Sequence, residues 1–509
     1  MRRHLLLLLL VLTVVMNAHA ADTLSVAARS YECAIAWQQL WLRYTDQVAL
    51  HHRQYRNPLS SFAARYEGRT ETESLYDEQG RGESIARLQA KTYLLPSTKE
   101  HLWGYADYAN GRVKEVKWRS TSDYDRLYPY IMADETGGDL SLERYAFGGG
   151  YSHQLSLLRL SGELYYRSQQ EYRAVDPRPR SIVSDLRLST GLSLPVAAYE
   201  VGLSLGYGLY KQRSGVAIYS PIGGSLQRLM SGLGGSFRRF DTNEPSLHYR
   251  GRSLGAALHL LPRTSDEGVR TLLGYRYSRL EQAVSDMNEV PIHHYTDHQG
   301  RLSVGYQHRV GILMGALDLE ASVESHSGVE HIVGEPKAGT YPVVGYNANF
   351  HRGTVEGKLS LSLGDADYRR PGWHWLVQPE VVYLHLRTRV LEPEKELRLD
   401  RWHVVLYGEV SHRSERSYGL LSLEAGYAPE AVGLLTLPMA EMEESVTDHL
   451  RQSYRSATAR CLSLSIAPKY HLPMPLKPSW GLVVGGRYRL DHFPSSLRHT
   501  LLAEIQLTL

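Results

Sequence analysis

The sequence predicts an all-β fold, a transmembrane antiparallel β-barrel of about 18 strands within a range of roughly 16–20, with a short helical or plug-like segment ahead of it. Three observations carry that expectation. The chain stops on an alternating strand, opens with a secretory signal, and repeats the alternating pattern in about a dozen segments between them. At the C-terminus, Leu501, Ala503, Ile505, Leu507 and Leu509 share one face. Thr500, Glu504, Gln506 and Thr508 share the other, with Leu502 the exception. Successive side chains on a strand point to opposite faces, so this is one apolar and one polar surface.

The N-terminus places the protein. Arg2, Arg3 and His4 precede the apolar run Leu5–Met16, and Ala18-His19-Ala20 offers small residues where a signal peptidase reads, predicting cleavage after Ala20. That run is too short to cross a bilayer as a helix, which takes about 20 residues. Cys33 lies too far beyond the cut for a lipoprotein, and no later uncharged apolar run is long enough to span. The expected division is a signal peptide at 1–20, an N-terminal segment at 21–55 that is a plug or a periplasmic helix, and a barrel at 56–509. The expected location is the cell outer membrane, with outer-membrane lipids and the barrel-insertion machinery as partners.

Composition separates a barrel from a secreted globular protein. The chain has 35 Tyr against 6 Phe, with 8 Trp and 44 Gly. Amphipathic rings suit the aromatic girdles at the two membrane–water interfaces, and glycine in strands permits close approach and bending. No Pro/Ser-rich linker divides the chain. The formal charge of +3 falls to +1 once Arg2 and Arg3 are removed, which gives no reason to expect nucleic acid as a partner.

The hairpins read in order. Leu158, Leu160, Leu164 and Tyr166 alternate with Arg159, Ser161, Glu163 and Arg167. Leu186, Leu188, Leu192 and Leu194 run to a turn at Pro195–Ala198. The return strand places Tyr199, Val201, Leu203, Leu205, Tyr207 and Leu209 outward and Glu200, Ser204 and Gly208 inward. The same period recurs at Leu254–Leu260, Leu317–Val323, Leu359–Leu363, Val382–Val390, Trp402–Val410, Leu462–Ile466 and Trp480–Leu490. On this pattern Leu203→Arg should be costly and Ser204→Arg tolerated. Long polar stretches at Gln212–Leu247, Gln282–Gly300, His326–Tyr341 and Pro429–Thr458 read as outer loops, and short ones such as Arg413–Ser417 as periplasmic turns. Leu127–Gly138 reads as a polar loop. Within Thr23–His52, Ile35, Trp37, Leu40, Trp41, Tyr44 and Val48 recur at helical spacing, which predicts a segment packed against or into the barrel.

An ordered string runs Leu102-Trp103-Gly104, Ala106-Asp107-Tyr108, Trp118, Thr121-Ser122-Asp123, Tyr128-Pro129-Tyr130, Ala133-Asp134, Gly137-Gly138-Asp139-Leu140, Gly148-Gly149-Gly150-Tyr151 and Asp176-Pro177-Arg178-Pro179. It resembles an uncharacterised, domain-of-unknown-function family of Gram-negative outer-membrane β-barrel proteins. The resemblance implies a barrel and transfers no functional residue. The motif-rich part spans roughly 100–195, the remainder matching in barrel style. The usual barrel terminus is aromatic, whereas this chain ends in Leu509. Asn57-Pro58-Leu59 reads as a turn before a strand; in three residues it also resembles the Asn-Pro motif of outer-membrane transporters for hydrophobic compounds.

Candidate chemistry is sparse. His293-His294-Tyr295-Thr296-Asp297-His298 is the densest run of metal-ligand types, but its spacing matches no known site and reads as a solvated loop tip. Gly251-Arg252-Ser253-Leu254-Gly255 matches a nucleophile elbow in letters only, because Ser253 opens an alternating strand. Asp134, Asp139, Glu143 and His153 are the types from which a rim hydrolase could be assembled. Asp176-Pro177-Arg178-Pro179 reads as a rigid loop. Cys33 and Cys461 could pair if the N-terminal segment enters the lumen. No residue is assigned as catalytic, cofactor-binding or metal-ligating, no cofactor is expected, and an enzyme is not. The function expected is a channel or transporter for small or hydrophobic solutes. The alternatives are an accessory barrel with an envelope protein partner and, least of all, an outer-membrane hydrolase.

Overall fold

The computed structural model describes residues 24–509 except 222–223, 265, 338, 439–441, 475–476 and 478. The expected signal peptide lies outside the described residues. Eighteen strands form the wall: β1 (Leu59–Glu71), β2 (Gly82–Ser97), β3 (Glu100–Val116), β4 (Gly138–Leu155), β5 (Leu158–Tyr172) and β6 (Arg178–Val196); β7 (Tyr199–Ala217), β8 (Ser246–Pro262), β9 (Gly268–Val284), β10 (Val290–Val310), β11 (Leu313–Val333) and β12 (Val343–Asp365); β13 (Gly372–Val390), β14 (Lys395–Arg413), β15 (Tyr418–Ala428), β16 (Cys461–Pro473), β17 (Gly481–His492) and β18 (Leu497–Thr508). Strand β15 breaks after Ala428 and resumes at Val432–Thr436, still paired to β14.

Neighbouring strands pair antiparallel, and β1 closes on β18 from Ser61 opposite Thr508 to Glu71 opposite Arg498. Closure removes the open sheet edges that a bilayer cannot solvate. The alternation explains the rest. Leu205, Leu258, Leu317, Leu361, Val404 and Leu464 are exposed on the outside. Tyr207, Tyr275, Tyr306, Trp402 and Tyr488 are exposed with them. An apolar belt turned outward around a polar, ion-paired interior inverts a soluble protein and fits lipid. The protein is an outer-membrane β-barrel. No helix among the described residues is long and apolar enough to cross a membrane.

The start of β1, the end of β18 and the shortest turns, 98–99, 156–157, 197–198 and 311–312, lie at one end of the barrel, the periplasmic one. At the other end the strands outrun the membrane: β12 is 23 residues long and β10 and β11 are 21 each, where about 9–11 suffice to cross. This corrects three of the expected loops. Gln282–Gly300 is mostly paired strand around a turn at 285–289, His326–Tyr341 is strand up to Val333, and Pro429–Thr458 carries Val432–Thr436 and a helix. Hydrogen-bonded polar strand standing above the membrane lacks an apolar face, so alternation does not mark it.

Among the described residues three helices of two turns or more complete the fold, α1 (Val26–Ala34), α2 (Ala36–Thr45) and, in the outer connection after β15, α3 (Glu444–Thr458), with a single helical turn at Tyr124–Leu127. The side chain of Ser25 accepts the N–H of Ala28 to start α1. A 3₁₀ turn over Val48–Arg53 follows α2.

Candidate functional site

The lumen is closed twice. From the periplasmic side, α1, α2 and the 3₁₀ turn fill the barrel. Their apolar residues meet inward residues of the wall near its periplasmic end. Tyr31, Ile35, Trp37 and Leu40 pack on Met314, Ala316, Leu376 and Leu420, and Trp41, Tyr44 and Leu50 pack on Leu261 and Leu272. Polar anchors fix the segment. Tyr31 OH meets Ser411 Oγ at 2.8 Å, and Tyr44 OH donates to Asp318 Oδ1 at 2.7 Å. The N–H of Ala49 donates to Ser204 Oγ at 3.1 Å, and Arg43 pairs with Glu320 at 2.8 Å. His52 and Arg53 both pair with Glu200, at 3.0 and 2.9 Å. Close docking needs glycine in the wall. A Cβ on Gly191 would lie 2.5 Å from Ala49 Cα, and one on Gly305 would lie 2.5 Å from Tyr44 OH.

From the outer side, the connection between β3 and β4 folds inward instead of out. It is the segment expected to be a polar loop, yet Leu127, Tyr130, Ile131, Met132 and Asp134 are buried. Its apolar residues pack on Val183, Tyr210, Leu247, Tyr249, Leu280, Ile292 and Tyr295 of the wall. Asp123 takes a two-pronged pair from Arg167 at 2.9 and 2.5 Å and a hydrogen bond from Tyr210 at 3.0 Å. Arg126 pairs with Asp185 at 3.0 Å while lying over the Tyr210 ring. Asp134 pairs with Arg173, both shut off from solvent. Tyr130 stacks on His293 with ring centroids 4.1 Å apart. A small sheet joins Met132–Ala133 to Arg228–Gly232 and Gly235–Ser236, and Trp118 packs on Val446 of α3. The string that carries the family resemblance therefore builds this closure, since Trp118, Thr121–Asp123, Tyr128–Tyr130 and Ala133–Asp134 all belong to it.

Between the closures the wall stays wet and charged. Arg187, Ser322, Glu356 and Arg487 are inward and exposed. Asp297, Glu324 and His326 converge there, with potential ligand atoms within 4.8 Å of one another. Strand register makes the group, because Asp297 of β10 stands opposite His326 of β11 and Gln299 opposite Glu324. His326 Nε2 lies 2.9 Å from Glu324, Ser278 donates to Asp297 at 3.3 Å, and Gln299 donates to Glu324 at 2.6 Å. Two carboxylates and an imidazole, Asp297 buried and the other two half-buried, can hold a divalent cation or attract a cationic solute.

Of the run His293–His298, only Asp297 joins this group. Alternation within β10 splits the run: His293, Tyr295 and Asp297 face in, while His294 faces out to His331 at 2.7 Å. It is wall, not the solvated loop tip expected. Ser253 sits inside β8, opposite Ser278 of β9. Asp134, Asp139, Glu143 and His153 are not brought together. Asp134 is buried with Arg173, Glu143 accepts from Tyr145, and His153 faces Glu100 at the periplasmic end. Cys33 and Cys461 are free thiols, the first on α1 at the periplasmic end and the second at the outer start of β16.

Barrel, outward apolar belt and doubly filled lumen define the class: an outer-membrane β-barrel with an internal plug. The chain belongs to the family of unknown function DUF6850, whose model matches residues 48–509. No curated protein matches it in sequence. Among solved structures it is similar to the ferric preacinetobactin receptor BauA from Acinetobacter baumannii, with 7% identity, 88% of this chain and 80% of that one covered, and a TM-score of 0.39. For the outer membrane transporter YddB from Escherichia coli the figures are 10%, 89%, 73% and 0.39. For the siderophore receptor PirA from Pseudomonas aeruginosa they are 9%, 89%, 80% and 0.35. These values report a general likeness among barrels and bring no cargo with them.

Proposed function

We propose that the protein is a gated conduit for small solutes across the outer membrane, held shut in this structure by two closures. The supporting observation is the water-accessible charged zone around Arg187, Glu356 and Arg487, trapped between an apolar-packed plug below and the inward loop above. The lining favours small polar or charged solutes over hydrophobic ones, since it carries inward ion pairs such as Arg43–Glu320–Lys358. The N-terminal segment is the element to be moved, because it precedes β1 and, among the described residues, makes no backbone–backbone hydrogen bond to the wall.

Planar-bilayer recording tests this. The intact protein should be silent or nearly so, deletion of 24–53 should raise conductance, and removing the inward part of 117–137 as well should open a stable pore. A doubly trimmed barrel that inserts but does not conduct overturns the reading. Silence combined with stoichiometric co-purification of another envelope protein favours the accessory-barrel alternative.

A further inference from the structure

On the outer wall, directly above the apolar belt, strands β7, β8 and β9 carry Lys211, Arg213, Arg250, Arg252 and Arg279, all exposed. Strand register sets like charges against each other: Lys211 stands opposite Arg250, and Arg252 opposite Arg279. Opposed side chains on a sheet are about 5 Å apart at Cβ, and like charges so placed are destabilising unless an anion lies between them. The carboxylates in reach are too few. Glu289 is taken by Arg250 at 2.5 Å and by His248, and Glu281 is the other acid on this face. Among the described residues, Lys211, Arg213, Arg252 and Arg279 form no ion pair.

The height of the patch identifies the anion. Tyr207, Leu254 and Tyr277 form the next row down, paired across the same three strands. Interfacial tyrosines mark the headgroup level, so side chains two residues further out (Arg252, Arg279) and four further out (Lys211, Arg250) sit among headgroups and not in bulk water. Beside Arg279 an open groove of about 540 Å³ runs past His294, His331 and Tyr346. We propose that this sector binds a lipid headgroup of the outer leaflet carrying two phosphates, one held by Lys211 and Arg213, two residues apart on the same face of β7, and the other between Arg252 and Arg279. Arginine suits this role because its planar fork meets phosphate oxygens in pairs. The groove takes the rest of a bulky headgroup.

The test uses the full-length protein in neutral detergent with bisphosphorylated lipid A as probe, read by native mass spectrometry. Binding should exceed that of dephosphorylated lipid A by about tenfold or more, given the contribution of each cation near an anionic headgroup. A Lys211→Gln/Arg252→Gln/Arg279→Gln triple variant should lose at least that factor while keeping its heat-modifiable gel shift. Should the triple variant fail to assemble, Glu281→Gln takes its place and should strengthen binding. Equal binding of the two lipids, or displacement of the lipid by millimolar inorganic phosphate, would overturn the proposal, as would a triple variant that binds like the parent.

Discussion

Glu409, on the inner face of β14, accepts the backbone N–H of Ala36 at 3.0 Å. Helix α2 begins at that residue, and its own N-cap, Ile35, has no side-chain acceptor to offer. The wall thus caps the plug, and a carboxylate at a helix N-terminus also meets the positive end of its dipole.

Glu409→Ala should therefore loosen docking by about 0.5–2 kcal/mol, the usual cost of a lost cap. Limited proteolysis of the assembled protein reads this as faster cleavage between α1 and α2. An unchanged cleavage rate would show that apolar packing alone holds the segment.

Asp318 serves both plug and wall. It accepts from Tyr44 and pairs with Arg270 at 3.2 Å, and both charged side chains are fully buried. Asp318→Ala leaves an uncompensated buried guanidinium and should cost about 3–5 kcal/mol. The midpoint of the heat-modifiable gel shift measures it. Pairing the change with Arg270→Met should recover most of the loss, which a simple packing defect would not do.

Acidity should favour release of the plug. Burial is the main reason His51 is held down from 6.5 to about 3, with His52 and His101 nearby as lesser causes. It stacks on Trp103 with centroids 4.1 Å apart. Burial depresses His52 as well, against the opposing pull of Glu200. The docked state binds fewer protons than the undocked one, so docking is strongest above pH 6.5 and weakens as pH falls from there toward 3. Conductance should rise by up to about tenfold per pH unit per histidine within that window, and His51→Phe should flatten the response. A pH-independent closed state in the parent protein would refute it.

The two faces of β7 give an unequal pair of outcomes. Leu205 is exposed at mid-belt, and Leu205→Arg should cost about 2–4 kcal/mol of assembly stability. Ser204→Arg, which alternation alone marks as harmless, is not so in the structure. Ser204 is buried and accepts from the N–H of Ala49. The larger side chain should displace the 3₁₀ turn and open the pore with little effect on insertion, as bilayer recording and gel mobility would show together.

The outer closure has its own trigger point. A Cβ on Gly328 would lie 2.4 Å from Tyr130 OH and 3.0 Å from Phe350 Cβ. Gly328→Val keeps a good strand former in β11 but removes the space for the inward loop. Protease sensitivity of 117–137 should rise while the barrel stays assembled.

Period-two spacing made the wall legible: Leu186–Leu194 and Tyr199–Leu209 alone show a hairpin with one lipid face, and the recurrence of such runs leads to the strand number. Helical spacing from Ile35 to Val48 likewise marks the plug. Which inward residues meet the plug and which meet water is not encoded in that period, because Ser204 and Ser322 look alike along the chain. The inward course of Leu127–Asp134 rests on distant partners, His293 and Gly328 among them, that no local pattern connects. The group of Asp297, Glu324 and His326 exists only through the β10–β11 register, so a linear run of histidines pointed to the right strand and the wrong neighbours.

The β1–β18 seam joins positions near the two ends of the chain, Arg65 facing Glu504 among them. No ribbon can shut on itself until its last rung exists, so the cylinder is the final event of assembly and not its scaffold.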